Sequence, residues 1–245
     1  RAFGQPAAHF FAALYVFAPA TVQKLSLVSL GIHHEACLFI LLALGVTASL
    51  MESQRRWPSF SLGVCLGFGV YFSWVVALAA SACALSLIVR WKQRLDPACV
   101  ASCLVGGVVG SAPLLLMYSL VGDAVFDIHG TGLAAAGTSL SGTLREFLRS
   151  IYVDGALGGL AGAVCWPAAI LGAIFMGLKR PDVQDESWSR AFRCFTSFLV
   201  IFIAAYLSSA FVQGAVYHFF LMLRLVPLWV VGVALVSAVL GRAWG

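Results

Sequence analysis

Long apolar runs separated by short polar stretches dominate this chain. Seven runs have the length and composition of membrane segments: Ala7–Ala20, Ala36–Met51, Phe60–Val89, Ala98–Val121, Gly155–Leu178, Cys194–Val212 and Leu225–Gly241. About 20 apolar residues in a helix cross the ~30 Å hydrocarbon core of a bilayer. The pattern therefore predicts an all-α fold, a polytopic transmembrane helical bundle of seven to eight membrane segments.

The run Phe60–Val89 differs from the others because it is too long for one crossing and too short for two. As one helix of 30 residues it would measure about 45 Å. Its glycines, Gly63, Gly67 and Gly69, allow a helix to bend or another backbone to approach closely. We predict a broken, re-entrant pair of short helices that enters and leaves on the same side.

The distribution of basic residues favours this hairpin. With it, 11 of the 15 Lys and Arg residues fall on one side of the membrane, against 9 if the run is a single crossing. Cytoplasmic loops are enriched in Lys and Arg. We therefore expect an integral protein of a bacterial inner (cytoplasmic) membrane, with both termini in the cytoplasm.

Composition supports a membrane protein and excludes several function classes. The chain is 61% hydrophobic and 10% charged, whereas soluble domains are about 45–50% apolar and about 25% charged. The net charge of +5 is carried by the predicted cytoplasmic loops, so we expect no nucleic-acid partner. The seven cysteines lack the spacing of a zinc site, and we expect neither metal nor cofactor.

We interpret residues 1–245 as a single transmembrane domain. Asp96 and Pro97 have the pattern of a helix start, and Pro113 predicts a kink. The outer loop 122–154 carries apolar residues at helical spacing after Leu140, which indicates a helix on the membrane surface or an extension of the next span. The loop 179–193 is predicted to be cytoplasmic.

The candidate chemistry lies on the predicted outer side. His33, His34 and Glu35 form the densest titratable group, but consecutive helical residues diverge by about 100° and cannot converge on one metal. They either line a cleft or are solvated by headgroups. A second outer group, Asp123, Asp127 and His129, lacks any ligand-motif spacing.

Arg224 lies between two apolar stretches, Leu221–Leu223 and Leu225–Trp229. An arginine there either extends to the headgroups or holds an anion such as a phosphate. No Walker loop, dinucleotide fingerprint or nucleophile elbow is present in the sequence.

The order of four segments resembles that of GT-C-type polytopic glycosyltransferases. The segments are Leu30–Ala36 leading into Leu38–Leu44, the Gly-rich Ser61–Ser73, the Pro-Leu-Leu-x-Tyr-like Gly106–Tyr118, and Arg224–Trp229 with Leu225 where that family has Tyr. The likeness covers about Phe10 to Leu240.

This resemblance implies inverting transfer of a sugar from a polyprenyl-phosphate donor at the outer membrane surface. It implies that Arg224 binds the lipid phosphate, and we expect His34 and Glu35 to line the cleft. His218, in the same outer connection as Arg224, is a second candidate for binding the phosphate. The family's catalytic base is an acidic residue in its first outer loop, which nothing here matches. We therefore expect either a catalytic segment upstream of this sequence or a non-catalytic scaffold subunit, with membrane lipids and protein subunits of a larger complex as partners.

Overall fold

A computed structural model describes residues 3–18, 33–73, 75–90, 96–123, 159–179, 186–208 and 218–244. Within these ranges the regular structure is entirely helical, as the sequence predicts, and contains no strand. The helices are α1 (Gly4–Val16), α2 (His33–Leu50), α3 (Arg56–Phe72), α4 (Val75–Arg90), α5 (Pro97–Gly110), α6 (Ala112–Val121), α7 (Gly159–Lys179), α8 (Glu186–Ser208) and α9 (His218–Trp244).

The predicted hairpin is confirmed as a pair of helices. The break falls at Ser73, whose extended backbone (φ −159°, ψ 131°) ends α3. The two ends of the segment meet, because the backbone N–H of Asp96 donates a hydrogen bond of 2.8 Å to Oε1 of Gln54. The chain thus returns to the end of the bundle from which α3 started.

As a result, α3 and α5 run parallel and form the most extensive helix contact in the described structure. Glycines lie on both sides: Gly63 and Gly67 face α5, and Gly106 and Gly110 face α3. A Cβ at Gly63 would lie 2.6 Å from the backbone nitrogen of Gly107, closer than side chains approach a backbone. This is the small-residue packing typical of membrane helices, and it explains the glycines of both segments.

The boundaries of α5 and α6 follow the predicted signals. The carboxylate of Asp96 accepts a hydrogen bond of 2.9 Å from the backbone N–H of Ala98 and so caps α5. Helix α5 ends at Gly110, and α6, with Pro113 near its start, is bent from it by 47°. The kink predicted at Pro113 is confirmed.

The largest differences from the predicted segments are the starts of α8 and α9, which were predicted too late. Helix α8 begins at Glu186 rather than Cys194, because Glu186 stabilises the first turn and pairs with Arg190 one turn later. Helix α9 begins at His218 rather than Leu225, so Arg224 lies in a helix and not in a loop. The predicted interfacial helix of the 122–154 loop lies outside the described residues.

The core lies between α2, α4, α8 and α9, with Phe192, Phe198, Ile40, Leu44 and Leu235 almost fully buried. Most described arginine side chains gather where α1 and α8 begin and α9 ends. We call this the arginine end; its arginines are Arg55, Arg56, Arg190, Arg193 and Arg242. The opposite end, where α1 ends and α2 and α9 begin, is called the far end.

By length and composition, one described helical stretch, Val226–Trp244, qualifies alone as a membrane span. The bent pair α5–α6 would be a second if it forms a single span. A buried core helix of a soluble protein passes the same test. The seven to eight membrane segments therefore stay a prediction.

Candidate functional site at the far end

Three helices meet near the far end through one small apolar cluster. It joins the end of α1, the first turns of α2 and the middle of α9. Its buried members are Ala18, Cys37, Val226, Trp229, Val230 and Val233. The sequence separates these elements widely, and their packing is what gives the far end a common surface.

Aromatic rings line the inner side of this surface. Trp229 of α9 lies between Tyr15 of α1, with centroids 6.0 Å apart, and Trp166 of α7, with centroids 5.7 Å apart. Trp229 is only 3% exposed, and its Nε1 finds no hydrogen-bond acceptor in the part of the chain that the structure describes. A buried indole N–H normally has a hydrogen-bond partner, so this donor without an acceptor among the described residues is unusual and marks the cluster as a candidate site.

The predicted group His33, His34 and Glu35 occupies the first turn of α2. Glu35 is exposed and lies two residues before Cys37, a member of the apolar cluster. Its carboxylate lies at the positive end of the α2 macrodipole, where a negative charge is favourable. The structure describes the backbone of His33 and His34 but not their side chains.

The predicted phosphate-binding residues His218 and Arg224 belong to the first two turns of α9. Arg224 lies two residues before Val226, which shares the apolar cluster with Cys37. The fold therefore brings the backbone turns that carry Glu35 and Arg224 to the same end of the bundle. The structure describes the backbone of His218 and Arg224 but not their side chains, so their role in binding a lipid phosphate stays a prediction.

The other predicted outer group is not assembled by the described residues. Asp123 is exposed and accepts a hydrogen bond of 3.2 Å from the hydroxyl of Tyr118, while Asp127 and His129 lie outside the described part. Among the described residues no three His, Cys, Asp or Glu side chains come close enough to hold a metal ion.

Sequence reasoning missed a polar group at the arginine end. Nη1 of Arg190 lies 2.8 Å from Oε1 of Glu186, and its Nη2 lies 4.0 Å from Oε1 of Glu52, in the turn that follows α2. The guanidinium of Arg242 lies 4.6 Å from the ring centre of Trp188. The four-residue spacing of Glu186 and Arg190 could have indicated the first pair, whereas the contacts between helices depend on the tertiary fold.

A cavity of about 810 Å³ lies beside this polar group, between α1, α2, α8 and α9. It was also missed, because the small residues that line it resemble ordinary helix-packing positions in the sequence.

No protein-family model matches the chain, and neither a curated protein nor a solved structure shows significant similarity to it.

Proposed function

We propose that this chain is an integral membrane protein that binds a polyprenyl-phosphate-linked sugar at its far end and transfers the sugar to an acceptor. The observation that supports the proposal is the apolar cluster around Trp229, which packs the first turns of α2 against the middle of α9 and so brings the helix turns that carry Glu35 and Arg224 to one end of the bundle.

The membrane location is supported by the exposed surface. Large apolar side chains are exposed along four helices: Leu85 on α4, Leu104, Val105 and Val108 on α5, Leu171 and Phe175 on α7, and Val200 on α8. Monomeric soluble proteins rarely expose contiguous apolar surface of this kind. Exposed tryptophans Trp57 and Trp244 accompany the arginines at the arginine end, as is typical of a membrane–water interface.

Recognition of a lipid phosphate is supported by the electrostatics of the far end. Helices α2 and α9 both begin there, and the N-terminus of a helix carries a partial positive charge that favours anions. Arg224 adds a full positive charge within two turns of the start of α9. The indole N–H of Trp229 is a further donor in the same cluster.

In the proposed reaction, a carboxylate takes the proton of the acceptor hydroxyl as that oxygen attacks the anomeric carbon. The bond from this carbon to the phosphate oxygen breaks, and the lipid phosphate leaves with its electron pair. Arg224 stabilises the departing phosphate. Among the described carboxylates, Glu35 lies in the first turn of α2, and the next turn of that helix shares the apolar cluster with α9; we therefore assign the base to Glu35.

The test is Arg224→Ala in purified protein supplied with a polyprenyl-phosphate sugar and its acceptor. Loss of one stabilising donor lowers turnover by roughly 10²–10³-fold, and Arg224→Lys should restore part of it. Arg193→Ala, which removes an exposed arginine at the opposite end, is the control and should leave turnover unchanged. Equal turnover in wild type and Arg224→Ala would remove Arg224 from the mechanism.

A second candidate function, a non-catalytic scaffold subunit, is favoured by the flank formed by α5 and α6. Helix α5 packs on α3, and the rest of the flank exposes Val109, Leu115, Leu116 and Leu120 to its surroundings. Such a flank suits a transmembrane partner as well as lipid. Photocrosslinking from Leu116 in native membranes separates the two: a single protein adduct together with unchanged function in Glu35→Gln and Arg224→Ala supports the scaffold.

A further inference from the structure

The cavity near the arginine end lies where α1 stands away from α2 and α8. Gly241 of α9 lies directly against the backbone of Ala7 of α1, whereas towards α2 and α8 the residues of α1 line the cavity instead. A Cβ at Gly45 of α2 would meet no atom within 4 Å, so no neighbouring helix fills this room. The volume of about 810 Å³ falls in the ~300–1,000 Å³ range of ligand pockets.

The cavity is apolar at one end and polar at the other. It follows α2 for about 12 Å, from Leu41 to the last turn of the helix, and then reaches Glu52 in the turn that follows. Phe11 and Leu41 line the inner part, and Glu52 and Ser187 line the part at the arginine end. The hydroxyl of Ser237 donates a hydrogen bond of 2.7 Å to a carbonyl of its own helix. This shape fits an aliphatic chain whose polar head lies at the arginine end.

The charge of the lining selects the kind of head. Among the described residues that line the cavity, Glu52 alone is charged, and its side chain is 44% exposed. The helix ends do not decide the matter, because α1 and α8 begin at this end and α2 ends there, which brings partial charges of both signs. The full negative charge of the carboxylate therefore dominates the polar end.

The nearby guanidinium does not neutralise this carboxylate. Arg190 lies outside the lining, with one nitrogen 2.8 Å from Glu186 and another 4.0 Å from Glu52. Charge-assisted hydrogen bonds measure about 2.7–2.9 Å, so Arg190 bonds Glu186 and pairs only loosely with Glu52. Arg242 lies over the ring of Trp188 rather than in the cavity. Two carboxylates thus share the positive charge of Arg190, and the excess negative charge lies at the cavity.

We infer that the cavity binds a single-chain amphiphile with an ammonium head, whose chain lies along α2 and whose head lies beside Glu52. An amine or trimethylammonium group matches the excess negative charge, and the chain matches the apolar part. A phosphate-bearing head does not fit, because no cationic side chain among the described residues lines the cavity. The inference rests on neither the membrane location nor the sugar transfer of the proposed function, and it places a second site at the opposite end of the bundle.

The test uses dodecyltrimethylammonium that carries a photoreactive diazirine at the end of its chain. The full-length protein in dodecyl maltoside is irradiated at increasing probe concentration, and the labelled peptides are identified and quantified by mass spectrometry. Labelling should saturate and should fall near Leu41 and Phe11, at the apolar end. A probe with the same chain and a sulfate head should bind more weakly by roughly fivefold or more, because the carboxylate repels it.

One pair of variants tests the space for the chain. Gly45→Phe should weaken labelling roughly tenfold or more, because the new ring fills the space that the chain occupies. The matched control is Gly172→Phe on α7, where a Cβ also meets no atom within 4 Å but which is not among the residues that line this cavity. This control should be labelled like the wild type.

Three further variants test the head. Glu52→Gln should weaken binding of the cationic probe by roughly fivefold, as expected for a partly exposed ion pair. Arg190→Gln should strengthen it by roughly two- to fivefold, because Glu52 loses its competing partner. A variant that merely failed to fold would not bind more tightly, so this gain keeps the test decisive. Arg193→Gln, at an exposed position outside the cavity, should change nothing.

Several outcomes would overturn the inference. These are equal labelling by the sulfate-headed probe, weaker or unchanged binding in Arg190→Gln, and equal loss in Gly45→Phe and Gly172→Phe. Labelling that does not saturate and spreads over the exposed faces of α5 and α7 would show only partition of the probe into the micelle, and would overturn it as well. Sugar transfer is not measured in these experiments, so their failure leaves the far-end proposal to its own test.

Discussion

Gly106 and Gly107 of α5 allow the contact between α3 and α5 to be tested with two neighbouring substitutions. A Cβ at Gly106 would collide with the carbonyl of Phe60 and lie 3.1 Å from the backbone nitrogen of Val64. A Cβ at Gly107 would meet nothing closer than the Gly63 carbonyl oxygen, 4.0 Å away, an ordinary van der Waals distance. We therefore expect Gly106→Ala to destabilise the bundle and Gly107→Ala to be tolerated.

The magnitude follows from two opposing effects. Replacing glycine by alanine in a helix contributes about 0.8–1.0 kcal/mol of helix propensity at either position. Overpacking costs about 1–3 kcal/mol, and it applies at Gly106 only, where the atoms that must move belong to backbone. Because the propensity gain is common to both variants, the difference between them isolates the clash. Gly106→Ala should be less stable than Gly107→Ala by about 1–3 kcal/mol.

The assay is reversible unfolding of the purified protein in mixed micelles with increasing denaturing detergent, followed by tryptophan fluorescence. Gly67→Ala, whose Cβ would lie 2.9 Å from the backbone nitrogen of Ser111, should behave like Gly106→Ala from the α3 side. Equal stability of Gly106→Ala and Gly107→Ala would refute the close backbone contact between the two helices.

Three further predictions follow from the described contacts. Asp96→Ala removes the cap on Ala98 and should cost about 1 kcal/mol in the same unfolding assay, whereas Asp123→Ala, at an exposed position, should cost less than half of that. Single cysteines replacing Arg55 or Lys92, in a background where exposed Cys165 is serine, should react with an impermeant maleimide from the same compartment. The reason is that Gln54 accepts a hydrogen bond from Asp96, which holds the two ends of the hairpin together. Labelling from opposite compartments would contradict the hairpin. Trp229→Phe keeps an aromatic ring beside Tyr15 but removes the indole N–H. It should weaken binding of the polyprenyl-phosphate sugar by roughly tenfold, as expected for a hydrogen bond to a charged group. The control Trp166→Phe should leave binding of this sugar lipid unchanged.

Local sequence signals predicted the helical features that depend on neighbouring residues. The Asp96–Pro97 start, the kink at Pro113 and the break of the long run are set by backbone chemistry within a few positions, and the structure has all three. The starts of α8 and α9 were misplaced because Glu186, Arg190 and Arg224 were interpreted as loop charges. Polar residues extend a helix beyond its apolar face when ion pairs or the helix ends accommodate them.

The candidate site could be predicted only in part. Glu35 and Arg224 stay predicted site residues, chosen from their types and positions in the sequence. The cluster that joins their helices depends on packing between Cys37, Tyr15 and Trp229 that no local pattern contains. The cavity was beyond prediction for the same reason. Gly45 and Gly63 each stand between Leu and Val in an apolar run, so local sequence does not distinguish them. The fold alone decides that Gly45 faces a cavity and Gly63 a neighbouring backbone.

The brevity of α1, α3 and α4 bears on the lipid that would surround them in the proposed membrane location. Helix α1 has 13 residues, α3 has 17 and α4 has 16, so at about 1.5 Å per residue they measure roughly 20–26 Å against a hydrocarbon thickness of ~30 Å. In the proposed membrane location, the bilayer beside these helices thins, or the flanking side chains reach outward, to cover the mismatch. An amphiphile that diffuses to these helices would find the polar surface of the bilayer displaced inward. That surface would then lie nearer to the depth of the protein's buried polar groups.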